Sequence, residues 1–263
     1  MLKEGEIIMN KIAMITGATS GFGKETALRF AKEGYTVIIT GRRKDRLDEL
    51  AKEITALYGM MVLPLCFDVR NRDEVRKALC DIPAEWKAIG VLVNNAGLAS
   101  GLDEIQTGDF EDWDKMIDTN VKGLLYVSEV IIPYMIDRKK GHIINIGSTA
   151  GKEVYPKGNV YCASKFAVDA LTKGMRMDLV THGIKVTQIS PGAAETEFSE
   201  VRFHGDKNRA SKIYEGYKPL APTDIAEIIF YCASLPEHVC INDLVVTPAA
   251  QANSYVFHKV NNP

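Results

Sequence analysis

Seven short apolar runs, rich in β-branched residues, are spaced along the chain with a helical stretch between most of them. This alternation limits the possible folds more than any other feature. "KIAMIT" (11–16), "YTVIIT" (35–40), "MVLPLCF" (61–67), "IGVLVNN" (89–95), "GHIINIGS" (141–148), "IKVTQIS" (184–190) and "DLVVTP" (243–248) read as strands. Their apolar character is continuous rather than alternating, which implies strands buried on both faces and hence a parallel sheet. Helical periodicity is expected over 22–33, the amphipathic "KDRLDELAKEITALYG", 71–81, 111–138 (with Pro133 inside), 158–182 and 223–234. Right-handed crossovers then give an α/β, doubly wound, Rossmann-like sheet of seven parallel strands with helices on both faces. No Pro/Gly/Ser-rich linker, repeat or low-complexity tract divides the 263 residues, so one domain is expected. Its ligand site belongs at the carboxyl ends of the strands, at the topological switch point.

Charge and cysteine usage exclude several function classes. The formal charge is −2, and the densest basic stretch, "GRRKDRL", is short and interrupted by acid. Binding to nucleic acid or an anionic membrane surface is therefore unsupported. The five cysteines are odd in number and contain no C-x-x-C pair, which disfavours a disulfide framework and a zinc site. No signal-peptide apolar region and no bilayer-length apolar run is present, so a cytoplasmic protein without a metal is expected. Met9 sits just before the first strand; residues 1–8 are expected to be a flexible tail, with translation starting at Met1 or Met9.

The turn after the first strand, "TGATSGFG", suggests a nucleotide. Gly17, Gly21 and Gly23 allow a sharp turn and close backbone approach. The amides opening the next helix favour a pyrophosphate. The second strand ends Thr40-Gly41-Arg42-Arg43, where an NAD binder would carry a carboxylate for the ribose hydroxyls. Arginines there suit a 2′-phosphate, gripped through parallel hydrogen bonds, and point to NADP. Asp68, after the third strand, could accept from the adenine amine or cap a helix. Asn94, Ala96 and Gly97, in "LVNNAG", are placed along the cofactor.

Three Tyr/Lys pairs share a four-residue spacing: Tyr161/Lys165, Tyr214/Lys218 and Tyr255/Lys259. That spacing stacks both side chains on one helical face but cannot choose among them. Context can. Tyr161 lies 13 residues past Ser148, which ends the fifth strand on the ligand edge, and the following helix returns over that edge. Ser148, Tyr161 and Lys165 can therefore converge beside a nicotinamide. Reduction of a carbonyl leaves an alkoxide that needs a proton donor and hydrogen bonds. A phenol is a poor donor at neutral pH until an adjacent ammonium lowers its pKa. Tyr161 is then the general acid or base, Lys165 its activator, and Ser148 the holder of the substrate oxygen. Cys162 is expected to be a buried thiol off the reactive face.

These pieces, in this order, resemble the short-chain dehydrogenase/reductase family over nearly the whole chain. They are "TGATSGFG" with Thr19, Ser20 and Phe22, "FDV" with Asp68 and Val69, "NNAG", Asn120 in "DTNVKG", Ser148, Tyr161 and Lys165 in "YCASK", and "PGAAET". The resemblance implies that Lys165 also binds the nicotinamide ribose and that Asn120 holds a water in the proton relay. It implies that Pro191, Gly192 and Thr196 cover the nicotinamide, and that 193–220 covers the substrate. It also implies a homotetramer packed through the helices of Asn120 and Tyr161, with the tail 249–263 reaching another subunit. A polar residue satisfied by backbone is an alternative reading of Asn120. "TEFSEVRFHGD" and "LPEHVCINDLVVTP" look like the subgroup of NADP-dependent 3-hydroxy acid dehydrogenases acting on serine and allo-threonine. A small hydroxy acid brings a carboxylate that needs a cation, and Arg202 is the first candidate, with Lys152 and Lys157 as alternatives. A 3-oxoacyl thioester or general carbonyl reductase is the rival activity, and a non-catalytic NADP-binding sensor is the rival of another class.

Overall fold

A computed structural model describes residues 11–260; the expected tail and both candidate start methionines lie outside them. The strands are β1 (Ile12–Ile15), β2 (Thr36–Gly41), β3 (Val62–Cys66), β4 (Ile89–Asn94), β5 (Gly141–Ile146), β6 (Ile184–Pro191) and β7 (Asp243–Val246). All pair in parallel, in the order β3-β2-β1-β4-β5-β6-β7. Helices α1 (Gly21–Lys32), α2 (Lys44–Tyr58), α3 (Arg72–Cys80), α4 (Phe110–Ile117), α5 (Leu124–Arg138), α6 (Asn159–Leu179), α7 (Phe198–Arg202), α8 (Lys207–Lys212) and α9 (Pro222–Ser234) surround the sheet.

β1 shows why its strand is apolar at every position. Successive side chains point to opposite faces. Ala13 and Ile15 join Phe30, Leu47 and Ile225 under α1, α2 and α9, while Ile12 and Met14 join Val75, Ile131 and Leu179 under α3, α5 and α6. On the first face the Phe30 ring meets Tyr35 and Phe230 edge-on, at centroid separations of 5.0 and 5.4 Å, and so locks α1 to α9.

From β1 the chain steps outward to β3 and then returns across β1 to β4, which makes the β1/β4 boundary the switch point. The loops leaving these two strands press together there. A Cβ on Gly17 would lie 2.9 Å from Ala96 Cα, and its φ is +67°, so both space and conformation demand glycine.

The helix expected over 111–138 is interrupted. Between α4 and α5, Asp118–Gly123 form a π-helical turn. The wider turn lets adjacent residues Thr119 and Asn120 both face inward. Gly123 gives it room, since a Cβ there would lie 2.8 Å from Val69 Cγ2. The short α7 and α8, within 193–220, had no visible period because each is under two turns long. The tail, through Val260, packs on its own chain. His258 N–H donates to Ala250 O, and Val260 N–H to Gly216 O, each at 2.8 Å.

Candidate active site

The carboxyl ends of the strands open into a cavity of about 480 Å³ that runs from Gly17 to Arg202. At one end the β1–α1 turn forms its floor. A Cβ on Gly23 would lie 2.4 Å from Gly17 O, so the third glycine serves packing of α1 against the turn. Ser20, preceding α1, does not cap it, and no acid stands in the first turn. The helix-opening amides thus keep the donor capacity and the field that attract an anion.

Arg43 leaves the end of β2 and crosses to that turn. Its Nε and Nη2 donate to Thr19 Oγ1 (3.1 and 2.7 Å), Nη2 also to Ser20 Oγ (2.9 Å), and Nη1 to Glu197 Oε2 (2.9 Å). Arg42 is more exposed, 3.9 Å from Asp68 Oδ2. Asp68 does not cap α3. Asn71 does, accepting from the amides of Asp73 and Glu74. Burial works against the Asp68 charge, but the Arg70 fork at 2.6–3.1 Å wins and holds its carboxyl below the ordinary range.

Phe22, Val69, Ala96, Gly97, Pro191, Gly192 and Thr196 also line the cavity; Gly23, Asn94 and Asn120 do not. Asn94 is corrected: it turns into the sheet, donating to Ser128 Oγ (3.0 Å) and Asn145 Oδ1 (2.9 Å). Its neighbour Asn95 lines the cavity instead and ties the two loops together through Thr16 O (2.8 Å). Asn120 is satisfied by backbone. Its Oδ1 accepts from Leu98 N–H, its Nδ2 donates to Leu98 O, both at 2.8 Å, and Nδ2 also reaches Ser164 Oγ at 2.9 Å. In this geometry it joins the loop after β4 to α6.

At the other end Ser148, Tyr161, Lys165 and Arg202 converge. Ser148 follows β5, and its Oγ accepts from Ala150 N–H at 3.1 Å. Lys165 is buried, and its Nζ donates to Ile146 O at 2.9 Å. Burial brings its pKa down to about 8. Tyr161 departs from expectation. Burial first, and the neighbouring Tyr155 next, push its phenol above the ordinary range; Arg202 and Ser148 pull the other way. The Lys165 ammonium stands 6.0 Å from the Tyr161 ring centroid, whereas the Arg202 guanidinium lies at 5.0 Å. The cation acting most strongly on the phenol is therefore Arg202, with Lys165 turned to the β5 backbone.

Arg202 reaches this position from α7. Its Nη2 donates to the Tyr155 hydroxyl, its guanidinium packs 5.5 Å from the Phe198 ring, and its buried Nε has no partner among the described residues. The alternative cations are engaged elsewhere: Lys152 pairs with Asp169 and Asp243, and Lys157 lies 3.8 Å from Glu104. Cys162 is buried with Ala150 and Met116, as expected, and burial raises its thiol pKa. The other two Tyr/Lys pairs have structural places. The Tyr214 hydroxyl binds Ala194 O and Ser199 Oγ, each at 2.7 Å, and Lys259 sits over the Tyr217 ring.

With this geometry in place, comparison with known proteins is decisive. Residues 11–207 match the family model described as short chain dehydrogenase. The chain belongs to the short-chain dehydrogenase family. It is 47% identical, over 92% of its length and 96% of the relative's, to the NADP-dependent 3-hydroxy acid dehydrogenase YdfG of Salmonella typhi. It is 44% identical, over 93% and 96%, to sulfoacetaldehyde reductase 2 of Chromohalobacter salexigens. Among solved structures, the closed form of serine dehydrogenase complexed with NADP+ superposes with a TM-score of 0.88 at 44% identity, covering 96% of this chain and 100% of that one.

Tyr155, Glu197 and Gln251 are among the residues of this short-chain dehydrogenase's cavity that escaped sequence reasoning. Tyr155 stands between Ser148 and Tyr161 in "KEVYPK", where only its place in chain order hinted at a role. Gln251 accepts from Ala193 N–H at 2.8 Å, and its Oε1 would lie 2.2 Å from a Cβ on Gly192, so that glycine makes room for it. No local pattern signals either contact, because each joins segments about 60 residues apart. Among the described residues no helix is long and apolar enough to cross a membrane, and no three His, Cys, Asp or Glu side chains come together as a metal site.

Proposed function

We propose that the protein is an NADP-dependent oxidoreductase that interconverts a small 3-hydroxy acid and its 3-oxo form. The substrate class is L-serine, L-allo-threonine, 3-hydroxyisobutyrate or 3-hydroxypropionate, with malonic semialdehyde in the reducing direction. The observation that carries this reading is Arg202, a guanidinium with a buried, unpartnered Nε beside Tyr161, facing the same cavity as Ser148. An uncharged ketone has no use for it, whereas a short acid places its carboxylate one or two carbons from the reacting oxygen. Two of the similar proteins are named with NADP, and the three are named for a 3-hydroxy acid, sulfoacetaldehyde and serine.

The residues present fit an NADP molecule. The close-packed glycine turn and the uncapped start of α1 suit the pyrophosphate, and Arg42 and Arg43 suit the 2′-phosphate. When bound, NADP supplies the hydride acceptor or, reduced, the hydride. The protein's own part is proton handling and positioning. Arg202, with Tyr155, would orient the substrate carboxylate through its fork. Ser148 would hold the reacting oxygen, and Tyr161 would give it a proton in reduction or take one in oxidation. A phenol held high by burial resists giving up its proton, so Arg202 would serve a second purpose by opposing that rise. Lys165, fixed on the β5 carbonyl, would meet the nicotinamide ribose. We also infer a cytoplasmic homo-oligomer, most simply the tetramer, for which exposed Leu125, Phe166 and Met177 on α5 and α6 offer apolar surface.

Arg202→Ala tests the substrate assignment. KM for L-serine should rise on the order of 100-fold, as expected for a lost charge-assisted pair worth about 2–3 kcal/mol, with KM for an uncharged ketone nearly unchanged. Equal effects on both substrates would remove Arg202 from the carboxylate role. A guanidinium grips a sulfonate as readily as a carboxylate, so sulfoacetaldehyde belongs in the same substrate panel.

A further inference from the structure

Glu197 belongs to the segment expected to cover the substrate, yet its side chain points the other way. Its Oε2 accepts from Arg43 Nη1 at 2.9 Å and its Oε1 from Arg46 Nη1 at 2.6 Å. It thereby bridges the start of α2 to the residue following Thr196, across more than 150 positions of sequence, and it lines the main cavity. The remaining Arg43 bonds run to Thr19 and Ser20, so Glu197 takes the one acidic contact that the Arg43 guanidinium makes among the described residues. A 2′-phosphate gripped by Arg43 would need that same donor edge, because the two-bond grip on an anion uses adjacent N–H groups.

We propose that Glu197 is a specificity-determining residue: a tethered anion that competes with the 2′-phosphate of the cofactor for Arg43. The proposal rests on the reading that Arg43 holds the 2′-phosphate. A phosphate monoester carries close to two negative charges at neutral pH and a carboxylate one, so the phosphate prevails on the shared guanidinium while the two repel. A cofactor without the phosphate leaves the bridge in place. Burial opposes charge on Glu197, but the two arginines outweigh it and bring its pKa to about 2, so the competitor is ionised throughout the working range. Some 40% of each side chain is exposed, which screens the contest and keeps its effect moderate.

Calorimetric binding of 2′,5′-ADP and 5′-AMP to the full-length protein tests this, since neither ligand carries the nicotinamide. Glu197→Gln should tighten 2′,5′-ADP by about tenfold, which is ~1.4 kcal/mol, and leave 5′-AMP unchanged. Arg43→Ala should erase the preference for 2′,5′-ADP. If Glu197→Gln leaves 2′,5′-ADP binding unchanged, weakens it, or tightens both ligands alike, the competitor role is overturned. If Arg43→Ala keeps the 2′-phosphate preference, the assignment of Arg43 fails, and the proposal fails with it.

Discussion

Replacing Lys165 with methionine should stabilise the ligand-free protein at neutral pH while abolishing turnover. The ammonium is buried and has one hydrogen bond, to Ile146 O, among the described residues. Burial lowers its pKa from 10.5 to about 8. At 1.36 kcal/mol per unit, the charged form costs the folded state roughly 3 kcal/mol at pH 7. Methionine has similar length and no charge, but it leaves the Ile146 carbonyl without its donor, a loss of about 1–3 kcal/mol. The net gain is about 1 kcal/mol, or a Tm higher by about 2–4 °C for a chain of this size. The pH dependence is more diagnostic. Between about pH 8 and 10.5 the folded wild type binds fewer protons than the unfolded chain, so its stability rises with pH across that window. The variant lacks this gain, so its advantage should shrink above pH 8 and reverse by pH 10.5. Denaturant unfolding of both proteins from pH 7 to 10.5 measures it. A variant that is less stable at pH 7 by a margin constant across the series would refute the reasoning, because Lys165 would then carry no burial penalty.

Two other outcomes are expected. Tyr161→Phe should lower kcat by roughly 10²–10⁴-fold, the usual range for a lost general acid or base, with the Kd for NADPH unchanged by fluorescence titration. Gly23→Ala forces a Cβ to within 2.4 Å of Gly17 O, so α1 must shift off the turn. Its Kd for 2′,5′-ADP should rise at least about tenfold, and a Kd equal to wild type would show that the turn has slack.

Much of the fold was legible in the sequence because burial on both faces leaves a strong mark. Strands apolar at every position, separated by helical stretches, admit few arrangements, and the observed strands lie within a residue or two of their expected limits. The candidate catalytic group was legible for a related reason. Chain order alone put Ser148 at a strand end and Tyr161 and Lys165 on the helix returning over it, and the cavity holds all three. The π-helical turn at Asn120 was not legible. It depends on Leu98 and Val69, which come from distant loops.

Residue types, their order and the apolar periodicity therefore determined the sheet, its ligand edge and the choice of Tyr161/Lys165 over two pairs of equal spacing. Tertiary structure decided how the charges are partnered. It turned Asn94 inward and Asn95 toward the cavity, gave Asp68 to Arg70, and set Glu197 on Arg43 and Arg46. It also put Arg202, rather than Lys165, closest to the Tyr161 ring. The physical reason lies in range. Helix and strand patterns are written in neighbours a few residues apart. The energy of a charged side chain depends on its burial and on whichever partner arrives, here from up to 154 residues away.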